Sequence, residues 1–321
     1  MALMSMPNIA ILIPCYNEEQ TIAAVVRAFK AQLPDAAIYV YDNNSSDSTV
    51  QEAERSGAIV RHEKQQGKGN VICAMFKQIE ADIYVMVDGD GTYPADRIHD
   101  LIRPIMDDKA DMVIGSRLHE HSSSRFKALN LIGNKIYRLL LNKVFNVNIT
   151  DLLSGYRAMN SHVVKALPLI SSGFEIETEL TVKCLERRYR IVELPVNLTS
   201  RPEGSTSKIK IFRDGFLILN TIFALFRDYQ PFKAFGLIGL ALILCGFIPG
   251  IVVIREFIAT GFILRIPSAI LAVGLVLSGL LVVFAGLILH TIARRFQEVD
   301  HQMRNIIEMI RRGTLDEDRG R

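Results

Sequence analysis

Asp88-Gly89-Asp90 stands directly after the apolar run Ile83–Val87. A strand ending there delivers two carboxylates, one residue apart, to the edge of a sheet. Hard oxygen donors in that arrangement suit Mg2+ or Mn2+ carrying a diphosphate, because neither ion needs a full cage of protein ligands. A cation so held would neutralise charge on a departing nucleotide diphosphate. The plainer alternative is a solvated acidic turn, so the neighbouring residues matter. Asp42 closes a second apolar run, where a carboxylate could accept hydrogen bonds from a base or ribose. Asp47 and the serines around it are candidates to cap the helix that follows. Gly67-Lys68-Gly69 opens an amphipathic segment and offers close backbone approach with a cation beside phosphate.

These groups need a scaffold that gathers them. From Asn8 to about Gly115, short apolar runs alternate with amphipathic segments, the runs being Ile9–Ile13, Ala36–Tyr41, Ala58–Arg61, Ile83–Val87 and Met112–Ile114. This alternation predicts an α/β fold, a doubly wound and mainly parallel sheet covered by helices on both faces. Ligands of such sheets sit at the carboxyl ends of strands. The residues after Ile13, Tyr41, Val87 and Gly115 therefore converge on one edge. Beyond Gly115 the expected elements are a basic amphipathic helix over Arg125–Phe145, a turn at DLLSGYR (151–157), a helix over Glu175–Arg188 and a strand at Ile191–Val196. RPEGSTSK (201–208) has loop composition. The alternating Glu175, Glu177 and Glu179 read as a helix start.

The 321 residues hold 37 Lys+Arg and 34 Asp+Glu, a net charge of +3. No basic excess exists to neutralise phosphates along a duplex, so a nucleic-acid partner has no support. Cys15, Cys73, Cys184 and Cys245 show no C-x-x-C pair, which fits a reduced compartment without disulfides or zinc. MALMSMPNIA lacks a basic n-region and a long apolar h-region, and a cleaved signal peptide is not expected.

Phe235–Ile254 and Ile266–Leu289 contain no Asp, Glu, Lys or Arg. Each reaches the roughly 20 residues that cross a hydrocarbon core, which predicts a transmembrane hairpin closed by Arg255–Arg265. Gly215–Phe226 is too short to span and is expected to lie at the interface. Lys208, Lys210, Arg213, Arg227 and Lys233 precede the hairpin, and Arg294, Arg295, Arg304, Arg311 and Arg312 follow it, against Arg255 and Arg265 in its loop. That asymmetry puts both termini in the cytoplasm. The resulting organisation is a cytoplasmic catalytic domain over 1–205, an interfacial segment over 206–231, a hairpin over 232–290 and a tail helix over 291–321. Phe296, Val299, Met303, Ile306 and Ile310 follow 3-4 spacing, which suggests a homo-oligomer through a short coiled coil.

A dinucleotide fingerprint would need G-x-G-x-x-G after the first strand, and a P-loop would need G-x-x-x-x-G-K-[ST]; neither is present. The ordered motifs IPCYNEE (13–19), DNNSSDST (42–49), QGKG (66–69), VDGDGTYP (87–94), GSR (115–117), DLLSGYR (151–157) and RPEGSTSK (201–208) resemble the inverting glycosyltransferases of family 2. Within that family they are most similar to the dolichyl- or polyprenyl-phosphate sugar synthases with a C-terminal membrane hairpin. The second strand ends DNN where DDG is usual, and DGDGTYP replaces the commoner DADLQ form.

The resemblance implies a GT-A fold, a nucleotide-sugar donor, a Mg2+ or Mn2+ cofactor, and transfer to polyprenyl phosphate at the cytoplasmic leaflet of the lipid bilayer. A UDP-sugar is preferred, with GDP-mannose the other donor considered. It assigns Pro14, Tyr16, Glu18 and Asp42 to the nucleoside, and Asp88 and Asp90 to metal and diphosphate. Ser116 and Arg117 fall near a donor or acceptor phosphate, Asp151 and Arg157 near the reacting centre, and Arg201, Ser205 and Lys208 at phosphate oxygens. Asp90, Asp151 and Arg117 are the expected catalytic residues.

A phosphate monoester acceptor is already anionic and needs no strong general base, whereas a sugar hydroxyl would. Asp151 is therefore expected to position groups or act as a weak base, with capping of its own turn the alternative. Processive polysaccharide synthases share the D-x-D half but carry Q-x-x-R-W, and this chain has no tryptophan. A catalytically silent membrane scaffold and a transferase with another membrane-surface acceptor are the remaining rivals. The basic helix from Arg125 could shape an acceptor groove, and His119-x-His121 is a minor metal candidate.

Overall fold

A computed structural model describes residues 7–117, 142, 147–173, 175–199, 227 and 231–319. They fall in two units, Met1–Ile222 and Phe223–Arg321. The first holds a 7-stranded sheet in the order β3-β2-β1-β4-β6-β5-β7. Its strands are β1 (Ile9–Cys15), β2 (Ala37–Asp42), β3 (Ile59–His62), β4 (Ile83–Met86), β5 (Met112–Arg117), β6 (Arg157–Asn160) and β7 (Ile191–Val196).

The strand IAILIPC is apolar without interruption because both its faces are covered, as in buried parallel strands. Ile11 and Ile13 point into one core and Ala10 and Leu12 into the other, the two-residue period of a strand. Helix α1 (Ile22–Gln32) covers the first core with Ile22, Val25, Val26 and Phe29, and α4 (Ile98–Met106) does so with Ile98, Leu101, Ile102 and Ile105. Both sets are spaced as one helical stripe. Between these two in the chain come α2 (Thr49–Arg55), which adds Ala53 to this core, and α3 (Lys68–Gln78). The second core lies under α3 with Ile72 and Met75, α5 (Ser161–Ala166) with Val163 and α6 (Ile176–Glu186) with Leu180.

All five runs from Ile9 to Ile114 form strands, as does Ile191–Val196. The sheet is nevertheless mixed: β6 lies between β4 and β5, antiparallel to both. The sequence did not announce it, because RAMN is only four residues long and opens on an arginine. Its direction matters for function. Met86 and Ile114 both pair with Arg157, so the turn feeding β6 arrives at the edge where β4 and β5 end.

The second unit consists of α7 (Pro231–Thr260) and α8 (Ile266–Arg319). By length and composition, Pro231–Thr260 and Ile266–Phe296 can each cross a membrane. The two helices pack along small residues, with Gly239 opposite Gly279 and Gly246 opposite Ala272. Leu237, Leu244, Ile251, Leu281 and Phe284 face outward, as suits lipid. The tail continues α8 without a break to Arg319, with Phe296, Val299 and Met303 exposed.

Candidate active site

Two loops at the ends of β1 and β2 are stitched together. Asn17 and Asn44 take positive φ, 53° and 64°, a conformation that asparagine tolerates better than most residues. The backbone N–H groups of Asn17, Glu18 and Glu19 donate to Ser45 Oγ, Thr49 Oγ1 and Asp47 Oδ2 at 2.9, 2.7 and 3.2 Å. Ser46 and Ser48 N–H donate back to Asn17 Oδ1 and Glu19 Oε2 at 2.8 and 3.0 Å. Asp47 also accepts from Thr49 N–H at 3.0 Å; the N-cap position of α2 itself is Ser48, whose side chain makes no capping bond. Tyr16 is exposed, and Pro14 is half-buried.

Asp42 is 4% exposed, and its carboxylate accepts from Ser45 N–H at 3.2 and 3.3 Å and faces His62 Nδ1 at 3.4 Å. It thus holds the turn after β2, a role additional to the nucleoside contact expected of its carboxylate. Asn43, the second residue of the DNN motif, fixes the next loop by donating to Glu63 and Gln65 carbonyls at 2.9 and 2.8 Å and accepting from Gly67 N–H at 2.7 Å.

The β4 exit is rigid for different reasons. Asp90 is 7% exposed, and its Oδ1 accepts from Thr92 N–H and Oγ1 at 3.1 and 2.6 Å. Thr21 Oγ1 donates to Gly89 O at 2.7 Å. Asp88 Oδ1 lies 2.5 Å from Lys68 Nζ, which is also 2.5 Å from Glu177 Oε1. Lys68 is therefore directed at two carboxylates rather than at an open phosphate site, a revision of its expected role. The flanking glycines are revised likewise. A Cβ on Gly67 or Gly69 would collide with the carbonyls of Ser172 and Ser171, so the close approach they allow is by this chain's own backbone.

The turn 151–157 joins the exits of β4 and β5. A Cβ on Gly155 would stand 2.5 Å from Asp88 Oδ2, and Gly155 N–H donates to Tyr93 Oη at 3.0 Å. Burial pushes the Tyr93 hydroxyl up to about 12, with the Asp88 carboxylate adding to the effect, so this hydroxyl stays protonated. Arg117 clamps Asp151 in a bidentate pair, Nε at 2.6 Å and Nη2 at 2.7 Å, and its backbone N–H donates at 3.0 Å. Leu153 N–H adds a fourth bond at 3.2 Å. Burial works against ionisation of Asp151, but the hydrogen bonds and charge of Arg117 outweigh it and hold the carboxyl below the ordinary carboxylate range. Glu193 of β7 supports this from behind, accepting from Thr150 and Asp151 N–H at 2.8 and 3.0 Å. Ser116 Oγ meets Thr150 Oγ1 at 2.8 Å.

Arg157 is fully buried. It donates to Ser154 O, Leu152 O and Thr181 Oγ1 at 2.9, 2.8 and 2.7 Å. It shapes the 151–157 turn from beneath, and the expected contact with substrate gives way to this role. Glu18 sits where β1 leads into α1, its carbonyl accepting from Thr21 and Ile22 N–H at 3.1 and 3.0 Å. Arg201, Ser205 and Lys208 lie outside the described residues, as do the interfacial segment Gly215–Phe226, His119-x-His121 and nearly all of Arg125–Phe145.

Replacing Gly155 by alanine tests this geometry. The added methyl would push the Asp88 carboxylate aside by about an ångström, a displacement that costs about 100-fold in turnover when reacting groups are misplaced. We expect Gly155→Ala to lose that activity while keeping a cooperative melt; wild-type activity would show that Asp88 is free to move.

The family model for glycosyl transferase family 2 matches residues 10–167. Glycosyltransferase AglJ of Haloferax volcanii is 33% identical over 234 residues, 73% of this chain and 77% of that protein. The chain belongs to glycosyl transferase family 2. The dolichol-phosphate mannosyltransferase of Pyrococcus furiosus is 26% identical over 252 residues, 74% of this chain and 70% of that one. Glucosyl-3-phosphoglycerate synthase of Mycobacterium tuberculosis, solved with Mn2+ and UDP-glucose, superposes with a TM-score of 0.58 at 19% identity, covering 68% of this chain and 79% of that one. That likeness confirms the GT-A type of fold.

For a family 2 glycosyltransferase, the charge balance at this edge is informative. Lys68 and Arg117 are paired with Asp88, Glu177 and Asp151, Asp90 ties its own turn through Thr92, and Arg157 is buried beneath. Among these described residues the carboxylates outnumber the cations by four to three. Asp88 and Asp90 are hard oxygen donors on one turn, and Mg2+ or Mn2+ needs few protein ligands. The donor set fits such an ion.

Proposed function

We propose that this chain transfers a sugar from a nucleotide-sugar, a UDP-sugar in preference to GDP-mannose, to a polyprenyl phosphate at the cytoplasmic leaflet with inversion. The observation that carries the reading is the state of Asp151. Four hydrogen bonds, two of them from the Arg117 guanidinium, leave it a poor proton acceptor. A sugar hydroxyl would need a base there; a phosphate monoester supplies its own negative oxygen. The named activity of the Pyrococcus relative and the two apolar helices support a lipid acceptor, and the basic residues flanking the hairpin support a cytoplasmic active site.

Asp88 and Asp90 would hold Mg2+ or Mn2+, which when bound supplies positive charge for the leaving diphosphate. Tyr16 and the stitched loops after β1 and β2 would seat the nucleoside. Arg117, oriented by Asp151, would present its remaining N–H groups to a phosphate oxygen. In-line attack by the acceptor oxygen on the anomeric carbon breaks the bond to the diphosphate and inverts that centre, giving a β-linked lipid from an α-linked donor.

A panel of radiolabelled nucleotide-sugars, incubated with the full-length protein, polyprenyl phosphate and Mn2+ or Mg2+, tests the proposal. One donor should carry label into the organic phase. Label on another membrane-surface acceptor would reassign the acceptor. No transfer from any donor would favour a silent scaffold.

A further inference from the structure

Lys68, Glu177 and Asp88 form a charged relay under the two-carboxylate turn, and the transfer step has no direct use for two of its members. Lys68 Nζ stands 2.5 Å from one oxygen of each carboxylate, and the Lys68 and Glu177 side chains are only 13% and 3% exposed. The lysine backbone is pinned as well, since Gly69 N–H donates to Ser172 O at 3.0 Å. Glu177 is fixed in the first turn of α6, within electrostatic reach of the buried Arg157. An ammonium and a divalent cation both seek the Asp88 carboxylate, and how firmly the ammonium holds it depends on what else shares its charge.

We propose that Glu177 is a positioning residue that tunes the metal affinity of Asp88 by drawing part of the Lys68 ammonium's charge to itself. The inference rests on the reading of Asp88 and Asp90 as metal ligands. With Glu177 charged, Lys68 is divided between two carboxylates, and Asp88 keeps negative charge for an incoming cation. With Glu177 neutral, Lys68 turns wholly to Asp88 and competes with the metal. Removing Lys68 together with the Glu177 charge abolishes the competition and leaves neither member of that ion pair buried without the other.

The test is Mn2+ alone, titrated into the detergent-solubilised full-length protein, with free Mn2+ read by electron paramagnetic resonance. Glu177→Gln keeps shape and removes charge; it should weaken Mn2+ binding about tenfold, the scale of changes to residues behind metal ligands. The double variant Lys68→Met with Glu177→Gln should bind at least as tightly as wild type. A purely structural role predicts that the double variant is the weaker of the two, so its recovery is the discriminating sign. Melting curves establish that each variant is folded. Glu177→Gln binding like wild type, or a double variant as weak as Glu177→Gln, overturns the proposal. If wild type binds no Mn2+, or Asp88→Asn binds it equally well, the metal assignment itself falls and takes the relay with it.

Discussion

Asp90→Ala should remove at least about 1,000-fold of sugar transfer, the scale for losing electrostatic stabilisation of a leaving group, while the protein still melts cooperatively in detergent. Asp90 is buried at a strand exit, where its Oδ1 ties the turn through Thr92, so some loss of stability is expected too. Asp90→Asn separates the two effects. Its amide oxygen can still accept from Thr92, and the melt should recover while activity does not. Metal-dependent activity near wild type in either variant would sink the assignment of Asp90.

Asp151→Asn should lower transfer about 100-fold, as expected when a positioned cation is misplaced. An amide in this place would set its NH2 against the Arg117 guanidinium and lose the bidentate pair. Arg117→Ala should cost as much, and the double variant should be no worse than either single one, since both remove the same oriented cation. If Asp151 were instead a general base, Asp151→Asn would be far more damaging than Arg117→Ala. The pH profile gives a second check. A depressed carboxyl is charged, and its pair with Arg117 intact, at every pH above its ordinary range; the stabilisation is lost only as pH falls through the lowered value. Between pH 5 and 8 Asp151 should therefore contribute no limb. Any acid limb should fall at about 6, where the acceptor phosphate takes up its second proton.

The parallel half of the sheet could be read directly from the chain because strands such as Ile9–Cys15 and Ile83–Met86 are buried on both faces and must be continuously apolar. The hairpin was evident for the same reason, lipid being as undemanding of polarity as a core. β6 was hidden because its first residue is an arginine whose buried donors are matched one by one to Ser154, Leu152 and Thr181, a satisfaction that only tertiary contacts provide. Lys68 looked like a phosphate ligand since GKG is phosphate-loop chemistry in isolation. Its partners Asp88 and Glu177 are remote in sequence, and Glu177 belongs to alternating glutamates that do open a helix, as expected, but with Glu177 and Glu179 buried. Glu193, an acid in a strand of otherwise apolar character, was the one local signal of the support behind Asp151.

Transfer by the wild-type chain is measured to two acceptors that differ only at the head, polyprenyl phosphate and the corresponding polyprenol, each offered with the active nucleotide-sugar and Mn2+. A site whose candidate base is tied to Arg117 should glycosylate the phosphate and leave the alcohol untouched. Equal or preferential transfer to the alcohol would mean that the site activates a hydroxyl, and the account of Asp151 and of the acceptor would be wrong.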